Sequence, residues 1–248
     1  PGEVCLEVKN LTNKKLKNVS FTLRKGEILG FAGLVGAGRS ETARAIFGID
    51  SLASGEIYVG GKQVKIRNAA DAIEQGIGYV PESRKEEGLV LDNSIKFNLT
   101  ISVLERFIRF CFMDRKKENE IVDRYAKELS IKMASANQLV RYLSGGNQQK
   151  VVVSKWLATK PDILILDEPT RGIDIGAKTE IYQLIVDMAK AGVAVMLISS
   201  EMEEIINLST RIIVMCEGQV KALLTEEETR TVAQEDIMWY ASGRNKDE

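Results

Sequence analysis

Two short segments carry side chains suited to phosphate and metal chemistry. Residues 143–150 read LSGGNQQK and place a serine and two glycines at a predicted helix start, where free backbone N–H groups and the helix dipole attract phosphate. Residues 163–170 read ILILDEPT, a buried-strand pattern that leads into Asp167 and Glu168. Because α/β sheets bind ligands at the carboxyl ends of their strands, these carboxylates are expected at a ligand site. The two segments together indicate nucleotide-driven work.

A glycine-rich segment further upstream matches a phosphate-binding pattern. Residues 33–40 read GLVGAGRS, so Gly33, Gly38 and Ser40 fit the P-loop pattern G-x-x-x-x-G-K-[ST], whereas Arg39 replaces the lysine. A predicted strand at 27–32 and a predicted helix at 40–47 flank it, which is the context that the pattern requires. We predict a loop that wraps an anion, with the Ser40 hydroxyl available to Mg²⁺. The alternative is a glycine loop that merely turns the chain.

Hydrophobic patterning predicts the elements that position these segments. Helical spacing with few turn residues appears over 91–142, which predicts a helical subdomain inserted between two parts of a P-loop core. The polar tail from Thr225 has a predicted docking point at Met238-Trp239-Tyr240. The other predicted elements are antiparallel strands over 1–30, a hairpin over 55–66 turning at Gly60-Gly61, a strand at 76–81, helices at 150–159 and 177–191, strands at 163–167 and 193–199, and a hairpin from Arg211 that turns at Glu217-Gly218.

Composition narrows the function classes. With 34 basic and 35 acidic residues the net charge is −1, which argues against a nucleic-acid binder. Cys5, Cys111 and Cys216 are odd in number and far apart, so a reducing compartment is expected rather than a disulfide or a zinc site. The chain has no histidine, so no step can use imidazole. No apolar stretch reaches the ~18–20 residues that cross a bilayer, and no signal peptide is evident, so a membrane role is expected to depend on a separate partner.

These motifs resemble the nucleotide-binding domain of ABC transporters, and the resemblance covers essentially the whole chain. LSGGNQQK is similar to the ABC signature, with Asn147 where many members have Gln, and LILDEPT is similar to the Walker B motif. The segments GLVGAGRS, YVPESRKEEGLV, LDEPTRGIDIGAK and LISSEMEEI most resemble the carboxy-terminal ATPase half of bacterial monosaccharide importers of the ribose, galactose and xylose type.

The resemblance implies an α/β fold, with a P-loop NTPase (RecA-like) core, an antiparallel β subdomain and an inserted α-helical subdomain. The expected organisation is a single ABC ATPase domain, with its core at about 1–90 and 151–248 and its helical subdomain at about 91–150. The chain begins Pro1-Gly2-Glu3-Val4 without an initiator Met, and we expect it to be one half of a longer two-half protein.

The resemblance also assigns roles at the chain's own nucleotide site. Asp167 is expected to organise Mg²⁺ together with Ser40, and Glu168 to position the attacking water. Where the family has a Gln that contacts Mg²⁺, this chain has Glu82, and where it has a switch histidine, this chain has Ser200. The residues expected to hold ATP in this loop are Gly33, Leu34, Val35, Gly36, Ala37, Gly38, Arg39, Ser40 and Glu41.

Arg39 leaves two hypotheses open. Arginine prefers bidentate contacts and does not share the geometry of the compact lysine ammonium, so this half can bind nucleotide yet hydrolyse it poorly. Alternatively, Arg39 substitutes fully for lysine. The altered positions 82 and 200 favour the first hypothesis. Between Asn10 and Leu16 no aromatic residue is present to stack on adenine.

The signature segment shows no such alteration. Family dimers pair head to tail, so Ser144, Gly145, Gly146 and Asn147 are expected to contact ATP held by the partner half, the amino-terminal ATPase half. The alternative for Ser144 is an ordinary helix N-cap. The expected partners also include transmembrane permease subunits and, indirectly, an external sugar-binding protein, with no nucleic acid. The expected location is the cytoplasmic face of the cell membrane, where the domain is peripheral.

Three further functions compete with an ATPase that powers sugar import. A structural or regulatory half would bind ATP to hold the dimer together without cleaving it. A DNA-repair or chromosome ATPase would need long coiled-coil insertions or a basic face, which the sequence lacks. A small-molecule P-loop kinase would not be expected to contain LSGGNQQ.

The aromatic run at Phe107, Phe110 and Phe112 has two interpretations. It can line a groove for a permease helix, or it can belong to the core of the helical subdomain.

Overall fold

The computed structural model describes residues 2–109 and 112–244. Its strands are β1 (Val4–Thr12), β2 (Val19–Arg24), β3 (Ile28–Gly33), β4 (Ser54–Val59), β5 (Lys62–Val64), β6 (Ile77–Val80), β7 (Ile108–Arg109), β8 (Phe112–Met113), β9 (Ile163–Asp167), β10 (Ala194–Ile198), β11 (Arg211–Cys216) and β12 (Gln219–Leu224). Its α-helices are α1 (Arg39–Ile46), α2 (Ala69–Glu74), α3 (Ile95–Thr100), α4 (Arg115–Glu128), α5 (Gly145–Leu157), α6 (Ile175–Lys190), α7 (Met202–Leu208), α8 (Glu226–Thr231) and α9 (Gln234–Ala241).

The described residues form two compact units. The first unit comprises residues 2–79, Asp162–Glu168 and residues 185–244. The second comprises Pro169–Leu184 and the described part of Val80–Pro161.

A six-stranded sheet in the order β12-β11-β3-β10-β9-β6 forms the core of the fold. β3, β9 and β10 are buried along their whole length, as apolar runs in the interior of a parallel sheet are expected to be. β10 runs parallel to both β3 and β9, and β11 runs parallel to β3. Parallel pairing brings the carboxyl ends of β3, β9 and β10 to one edge of the sheet, where Gly33 ends β3, Asp167 ends β9 and Ser199 follows β10.

A second sheet of four strands, in the order β2-β1-β4-β5, is antiparallel. β2 alternates strictly, with Val19, Phe21 and Leu23 buried, because one of its faces packs on the core. The Phe21 ring meets the Phe31 ring of the six-stranded sheet edge to face, with centroids 5.1 Å apart. The predicted strands of residues 1–30 and the predicted hairpin turning at Gly60-Gly61 are confirmed.

The second unit is built around α3, α4 and α5. α4 presents Val122 and Tyr125 to the interior, and the Tyr125 hydroxyl donates to the carbonyl of Leu157 at the end of α5 over 2.7 Å. The buried carboxylate of Glu118 pairs with Lys96 of α3 at 2.8 Å. The helical spacing predicted over 91–142 is therefore confirmed, although the segment also contains the two-stranded pair β7-β8, which the sequence did not suggest.

Several element boundaries differ from those predicted. α5 begins at Gly145 rather than 150 and ends at Leu157, because Ser144 caps it and the two glycines that follow adopt helical conformations. The polar tail forms α8 and α9, and α9 buries Ile237 and Ala241, whereas Met238 and Trp239 remain partly exposed. The tail therefore docks through residues that flank the predicted Met238-Trp239-Tyr240 point. Among residues 2–109 and 112–244, no helix combines the length and the apolar character needed to cross a bilayer.

Candidate functional site

The glycine loop (residues 33–40) connects β3 to α1 in the first unit. Gly36 and Gly38 have φ values of 82° and 102°, a backbone region that residues with a Cβ rarely adopt. The N–H of Ala37 donates to the carbonyl of Leu34 over 2.9 Å, which closes the loop on itself. Val35 at the loop tip is 95% exposed, and a Cβ built on Gly36 would meet no atom within 4 Å. The tip of the loop is therefore open to solvent, and its glycines would let backbone N–H groups approach an anion closely.

The first turn of α1 supplies hydrogen-bond donors beside this space. α1 begins at Arg39, and its N-cap Gly38 has no side chain that could accept from the first-turn N–H groups. The first N–H groups of an α-helix have no partner within the helix, and the positive end of the helix dipole lies at the same place. The predicted residues Gly33 to Glu41 therefore form one continuous loop and helix start, a known arrangement for phosphate binding.

Ser40 and Asp167 are in direct contact, as the predicted metal site requires. The Ser40 hydroxyl donates to one carboxylate oxygen of Asp167 over 3.0 Å, and the Tyr79 hydroxyl donates to the other over 3.2 Å. Asp167 is almost fully buried at the end of β9, and burial raises the pKa of its carboxyl to about 6, with a smaller contribution from the nearby charge of Glu168.

The donor set at this point fits Mg²⁺ bound together with a phosphate. Mg²⁺ prefers oxygen ligands and is usually held by one or two protein groups plus phosphate oxygens and water. A serine hydroxyl and a buried carboxylate 3.0 Å apart, next to a helix start, provide such a set. Within the described residues no group of three or more Cys, Asp or Glu side chains could hold a metal ion.

Arg39 points its side chain to the carboxyl edge of the sheet. It is 8% exposed, and its Nη1 donates to the carbonyl of Ser199 over 2.6 Å. Its Nη2 lies 3.8 Å from Oε1 of Glu168. The guanidinium is therefore held by the protein itself, beside the predicted catalytic carboxylate, in addition to any phosphate contact that it makes.

Glu168 has an unusual backbone conformation. Its φ is 48°, in the left-handed region that costs a non-glycine residue about 1 kcal/mol or more. Its N–H donates to the carbonyl of Ile198 over 2.9 Å, which holds this conformation in place. Ser200, at the position expected for the switch residue, donates its hydroxyl to Oε2 of Glu168 over 3.0 Å. The structure thus brings together Arg39, Ser40, Asp167, Glu168 and Ser200 in the first unit.

The signature residues lie at the start of α5 in the second unit. Ser144 is the N-cap, and its hydroxyl accepts from the N–H of Asn147 over 3.4 Å and from the Asn147 side-chain amide over 2.9 Å. The Asn147 side-chain oxygen accepts from the N–H of Lys132 over 2.8 Å. The ordinary capping role of Ser144 is therefore present, and the Asn147 side chain is already engaged within the protein.

Glu82 lies in the second unit and forms an ion pair with Arg171, with both side chains exposed. Its predicted contact with Mg²⁺ stays a prediction.

Phe107 is buried, which supports its assignment to the core of this unit. Phe110 and Cys111 lie outside the described residues, as does the side chain of Phe112.

Sequence reasoning missed three groups of functional interest. Tyr79, the first residue of the YVPES motif, donates to Asp167, and its position at the end of a strand beside the carboxylate strand was the available signal. The Ser199 carbonyl accepts from Arg39, which no local pattern could indicate across 160 residues. Arg84, in the same YVPESRKEEGLV segment, donates to two backbone carbonyls of the loop at 171–174.

Comparison with known protein families decides the relationship that these motifs suggest. Residues 16–171 match the model of the family described as ABC transporter. The chain belongs to this family. The glycine loop, the carboxylates Asp167 and Glu168, and the signature segment at 143–150 all lie within the matched residues.

Curated relatives in the ABC family place the chain near sugar importers. It is 49% identical over 241 residues to the ribose import ATP-binding protein RbsA of Lactococcus lactis subsp. cremoris, which covers 97% of the chain and 48% of that protein. It is 48% identical over 243 residues to RbsA of Bacillus subtilis, covering 98% of the chain and 49% of that protein. It is 50% identical over 244 residues to a putative ribose/galactose/methyl galactoside import ATP-binding protein of Geobacillus kaustophilus. This match covers 98% of the chain and 48% of that protein. The chain spans about half the length of these relatives.

Solved ABC structures establish the fold. This chain superimposes with a TM-score of 0.82 on the ADP conformation of MJ1267, an ATP-binding cassette of an ABC transporter. The match covers 98% of this chain and 100% of the MJ1267 chain, at 19% sequence identity. A nucleotide-free ATP-binding cassette covers 93% of this chain and 95% of its own with a TM-score of 0.80 at 20% identity. The predicted fold class is therefore confirmed: a P-loop NTPase α/β core with an antiparallel β subdomain and a helical subdomain.

Proposed function

We propose that this chain binds MgATP at the glycine loop. The observation that carries the proposal is the contact between Ser40 and Asp167, 3.0 Å long, beside the uncapped start of α1. In this arrangement the N–H groups of residues 33–41 hold the phosphates, and Ser40 and Asp167 hold Mg²⁺, with Glu82 as a third candidate ligand. Bound Mg²⁺ supplies neutralisation of the charge that develops on the transferred phosphoryl group.

The same site is proposed to be an ATPase site of low activity in this half alone. Glu168 is the residue that would position the attacking water, and Ser200 contacts it where the wider family has histidine. A serine hydroxyl cannot carry the charge that an imidazole can, and Arg39 is held by Ser199 and Glu168. These features support a partly degenerate site that binds ATP better than it cleaves it.

The signature segment is proposed to serve ATP that is bound by a partner half. Ser144, Gly145, Gly146 and Asn147 lie at the start of α5, where the helix dipole favours a phosphate. In a head-to-tail dimer with an amino-terminal ATPase half, they would complete the partner's site. The match to relatives about twice as long supports a partner half in the same polypeptide.

The proposed cellular role is to power import of a monosaccharide of the ribose type. The names of the relatives support this class of substrate. The proposed partners are transmembrane permease subunits and, through them, an external sugar-binding protein, with the domain peripheral at the cytoplasmic face of the membrane. Within the chain, we propose a single ABC ATPase domain whose helical subdomain lies at about 91–150, between core segments at about 1–90 and 151–248.

A second candidate is a half that binds ATP as a structural or regulatory element without cleaving it. The contacts of Arg39 and Ser200 with Glu168 favour this candidate, because they engage the carboxylate that hydrolysis needs.

Equilibrium binding of MgATP to this chain, followed by turnover measurements with and without the partner half, tests both candidates. Binding with turnover in the assembled protein supports the ATPase. If the chain binds MgATP but Glu168→Gln leaves the turnover of the assembled protein unchanged, this half does not hydrolyse ATP, which supports the second candidate. Absence of MgATP binding would overturn both forms of the proposal for this site.

A further inference from the structure

Arg84 joins two segments of the second unit that are distant in sequence. Its Nη1 donates to the carbonyl of Arg171 over 2.7 Å, and its Nη2 donates to the carbonyl of Gly172 over 3.0 Å. Its Nε contacts Oε1 of Gln148 on α5 at 3.3 Å. A single guanidinium therefore holds two consecutive carbonyls of the loop at 171–174 and one side chain of the signature helix.

The geometry of this contact explains the glycine at 145. A Cβ built on Gly145 would lie 2.9 Å from Nη2 of Arg84 and 3.3 Å from the carbonyl oxygen of Gly172. Both atoms belong to the hydrogen bond that fastens the loop, so they cannot retreat without breaking it. Gly145 is helical, so its backbone conformation does not demand glycine. Glycine is instead required at position 145 because Arg84 and the loop at 171–174 approach it closely.

The neighbouring Gly146 is required by a different contact. A Cβ there would lie 2.5 Å from the Cβ of Ala177 on α6. The two signature glycines thus pack against separate groups, and only Gly145 lies against the Arg84 side chain. This difference provides a matched pair of positions for an experiment.

Arg84 is itself held in place from both sides. It begins a π-helical turn over Arg84–Gly88, and the preceding residue Ser83 caps this turn by accepting from the N–H of Glu86 over 3.3 Å. At the other end of the turn, Lys155 of α5 donates to the carbonyl of Gly88 over 2.7 Å. The turn is anchored to α5, so the Arg84 side chain projects from a fixed base.

We propose that Arg84 is a positioning residue that sets the loop at 171–174 against the first turn of the signature helix. This inference rests on the proposed function, in which Ser144 to Gly146 serve the ATP of a partner half. Arginine suits the task because the two terminal nitrogens of its planar fork bond two neighbouring carbonyls in a fixed geometry, which the single ammonium nitrogen of lysine does not provide. Displacement of this surface by a fraction of an ångström would misplace Ser144 relative to a phosphate.

The first test measures backbone hydrogen exchange, in the protein at its full natural length without nucleotide. Arg84→Ala is expected to raise exchange of the segments 145–150 and 170–174 by about 10-fold or more, because it frees both sides of the contact. The matched control is Arg106→Ala. Arg106 also bonds two consecutive carbonyls, those of Ala158 and Thr159 just beyond the end of α5, at 2.8 and 3.0 Å. This control should raise exchange near 158–159 and leave 170–174 unchanged.

A double-variant comparison locates the contact. Gly145→Ala displaces the Arg84 guanidinium, so adding Arg84→Ala to it should raise exchange of 170–174 little beyond the effect of Arg84→Ala alone. Gly146→Ala acts through Ala177 instead, so its effect should multiply with that of Arg84→Ala. Multiplication in both pairs, or unchanged exchange of 170–174 in Arg84→Ala, would overturn the proposal.

The second test measures steady-state ATP turnover of the assembled protein. Arg84→Ala is expected to lower kcat by about 10- to 100-fold while KM for MgATP changes less than about 2-fold. Arg84→Lys should recover only part of the loss, because its single nitrogen does not reproduce the planar fork of arginine. Arg106→Ala should retain kcat within about 2-fold. Normal kcat in Arg84→Ala, with exchange raised as expected, would overturn the positioning role. Absence of turnover in the wild-type protein would instead contradict the proposed function, and the exchange measurements would still decide whether Arg84 holds the loop.

Discussion

The guanidinium of Arg39 lies 3.8 Å from the carboxylate of Glu168, and both side chains are about nine-tenths buried. Arg39 stands where the P-loop pattern has lysine, and Glu168 follows the strand that ends in Asp167. Nη1 of Arg39 also donates to the Ser199 carbonyl. This hydrogen bond holds the guanidinium at the carboxyl edge of the sheet, beside the proposed nucleotide site. A phosphate that enters the loop must therefore compete for Arg39 or accept the donors that remain on its guanidinium.

Removal of the Arg39 guanidinium should weaken nucleotide binding. In Arg39→Ala we expect MgATP affinity to fall by about 10- to 100-fold, because a charged hydrogen-bond donor next to the phosphates is lost. Titration calorimetry with MgATP measures the change. Arg44→Ala is the control, since Arg44 lies on the same helix and pairs with Asp50 at 3.2 Å. Equal affinity in Arg39→Ala and wild type would mean that Arg39 serves only Glu168 and Ser199.

A bulky residue at position 144 should stop the whole protein from turning over ATP. In Ser144→Tyr we expect turnover to fall by more than about 100-fold, because the ring would occupy the space beside the start of α5 that a phosphate needs. The loss of the N-cap should cost only about 1 kcal/mol of stability, so the protein should still fold. Near-normal turnover would contradict the role of the signature segment.

A pair of smaller substitutions separates capping from function at that site. Ser94 caps α3 as Ser144 caps α5, by accepting from the N–H of Phe97. Ser144→Ala and Ser94→Ala should therefore cost similar stability in chemical denaturation, about 0.5–2 kcal/mol each. Only Ser144→Ala should lower ATP turnover. Equal loss of turnover in both variants would assign the effect to stability alone.

Lys155 should make stability depend on pH in the alkaline range. It is 9% exposed on α5, and burial lowers the pKa of its ammonium from 10.5 to about 8. Between these two pH values the unfolded chain binds more protons than the folded chain at this group, so stability should rise as pH rises from about 8 to about 10.5. Below pH 8 the ammonium is charged in both states and contributes no slope.

Comparison with Lys155→Met isolates this contribution. The difference in unfolding free energy between wild type and variant should shift in favour of wild type by up to about 3 kcal/mol across this pH range. Urea denaturation at pH 7, 8, 9 and 10 measures it. A difference that stays constant with pH would show that Lys155 keeps its ordinary pKa in the folded protein.

The buried ion pair between Glu27 and Arg211 should be important for stability. Glu27 is fully buried, accepts from the N–H of Arg24 over 2.7 Å, and pairs with Arg211, whose Nη2 also donates to the carbonyl of Thr22. Arg211→Met leaves a buried carboxylate without its cation and should cost about 3–5 kcal/mol.

An exposed pair provides the control for this prediction. Lys25 pairs with Glu3 at 2.8 Å on the surface, and Lys25→Met should cost less than about 1 kcal/mol. Thermal or urea unfolding of the two variants measures both effects. A loss from Arg211→Met as small as that from Lys25→Met would mean that water reaches Glu27 once Arg211 is removed.

Much of the fold follows from patterns that lie within a few residues. The run Ile163–Asp167 forms the strand that its unbroken apolar character predicts, and the hairpin turn at Glu217-Gly218 lies where the sequence places it. The predicted helix start at Ser144 and the two glycines is confirmed, whereas the bounds predicted for the helix, 150–159, began too late because two glycines weaken a local helix signal. α5 nevertheless includes both glycines, since Ser144 caps it and Arg84 and Ala177 pack against them. The helices α8 and α9 were missed because both are short and polar; α8 is held by the capping box of Thr225 and Glu228, and α9 buries Ile237 and Ala241.

The sequence by itself determined the family, the glycine loop, the carboxylates at the end of β9 and the signature segment, because each depends on residue types at fixed short spacings. Only the tertiary structure decided which groups meet: Ser40 with Asp167 across 127 residues, Arg39 with the Ser199 carbonyl across 160, and Arg84 with the carbonyl of Gly172 across 88. These contacts depend on how strands and helices are brought together by burial of apolar surface, and no local pattern encodes the direction in which an arginine side chain finds its acceptor.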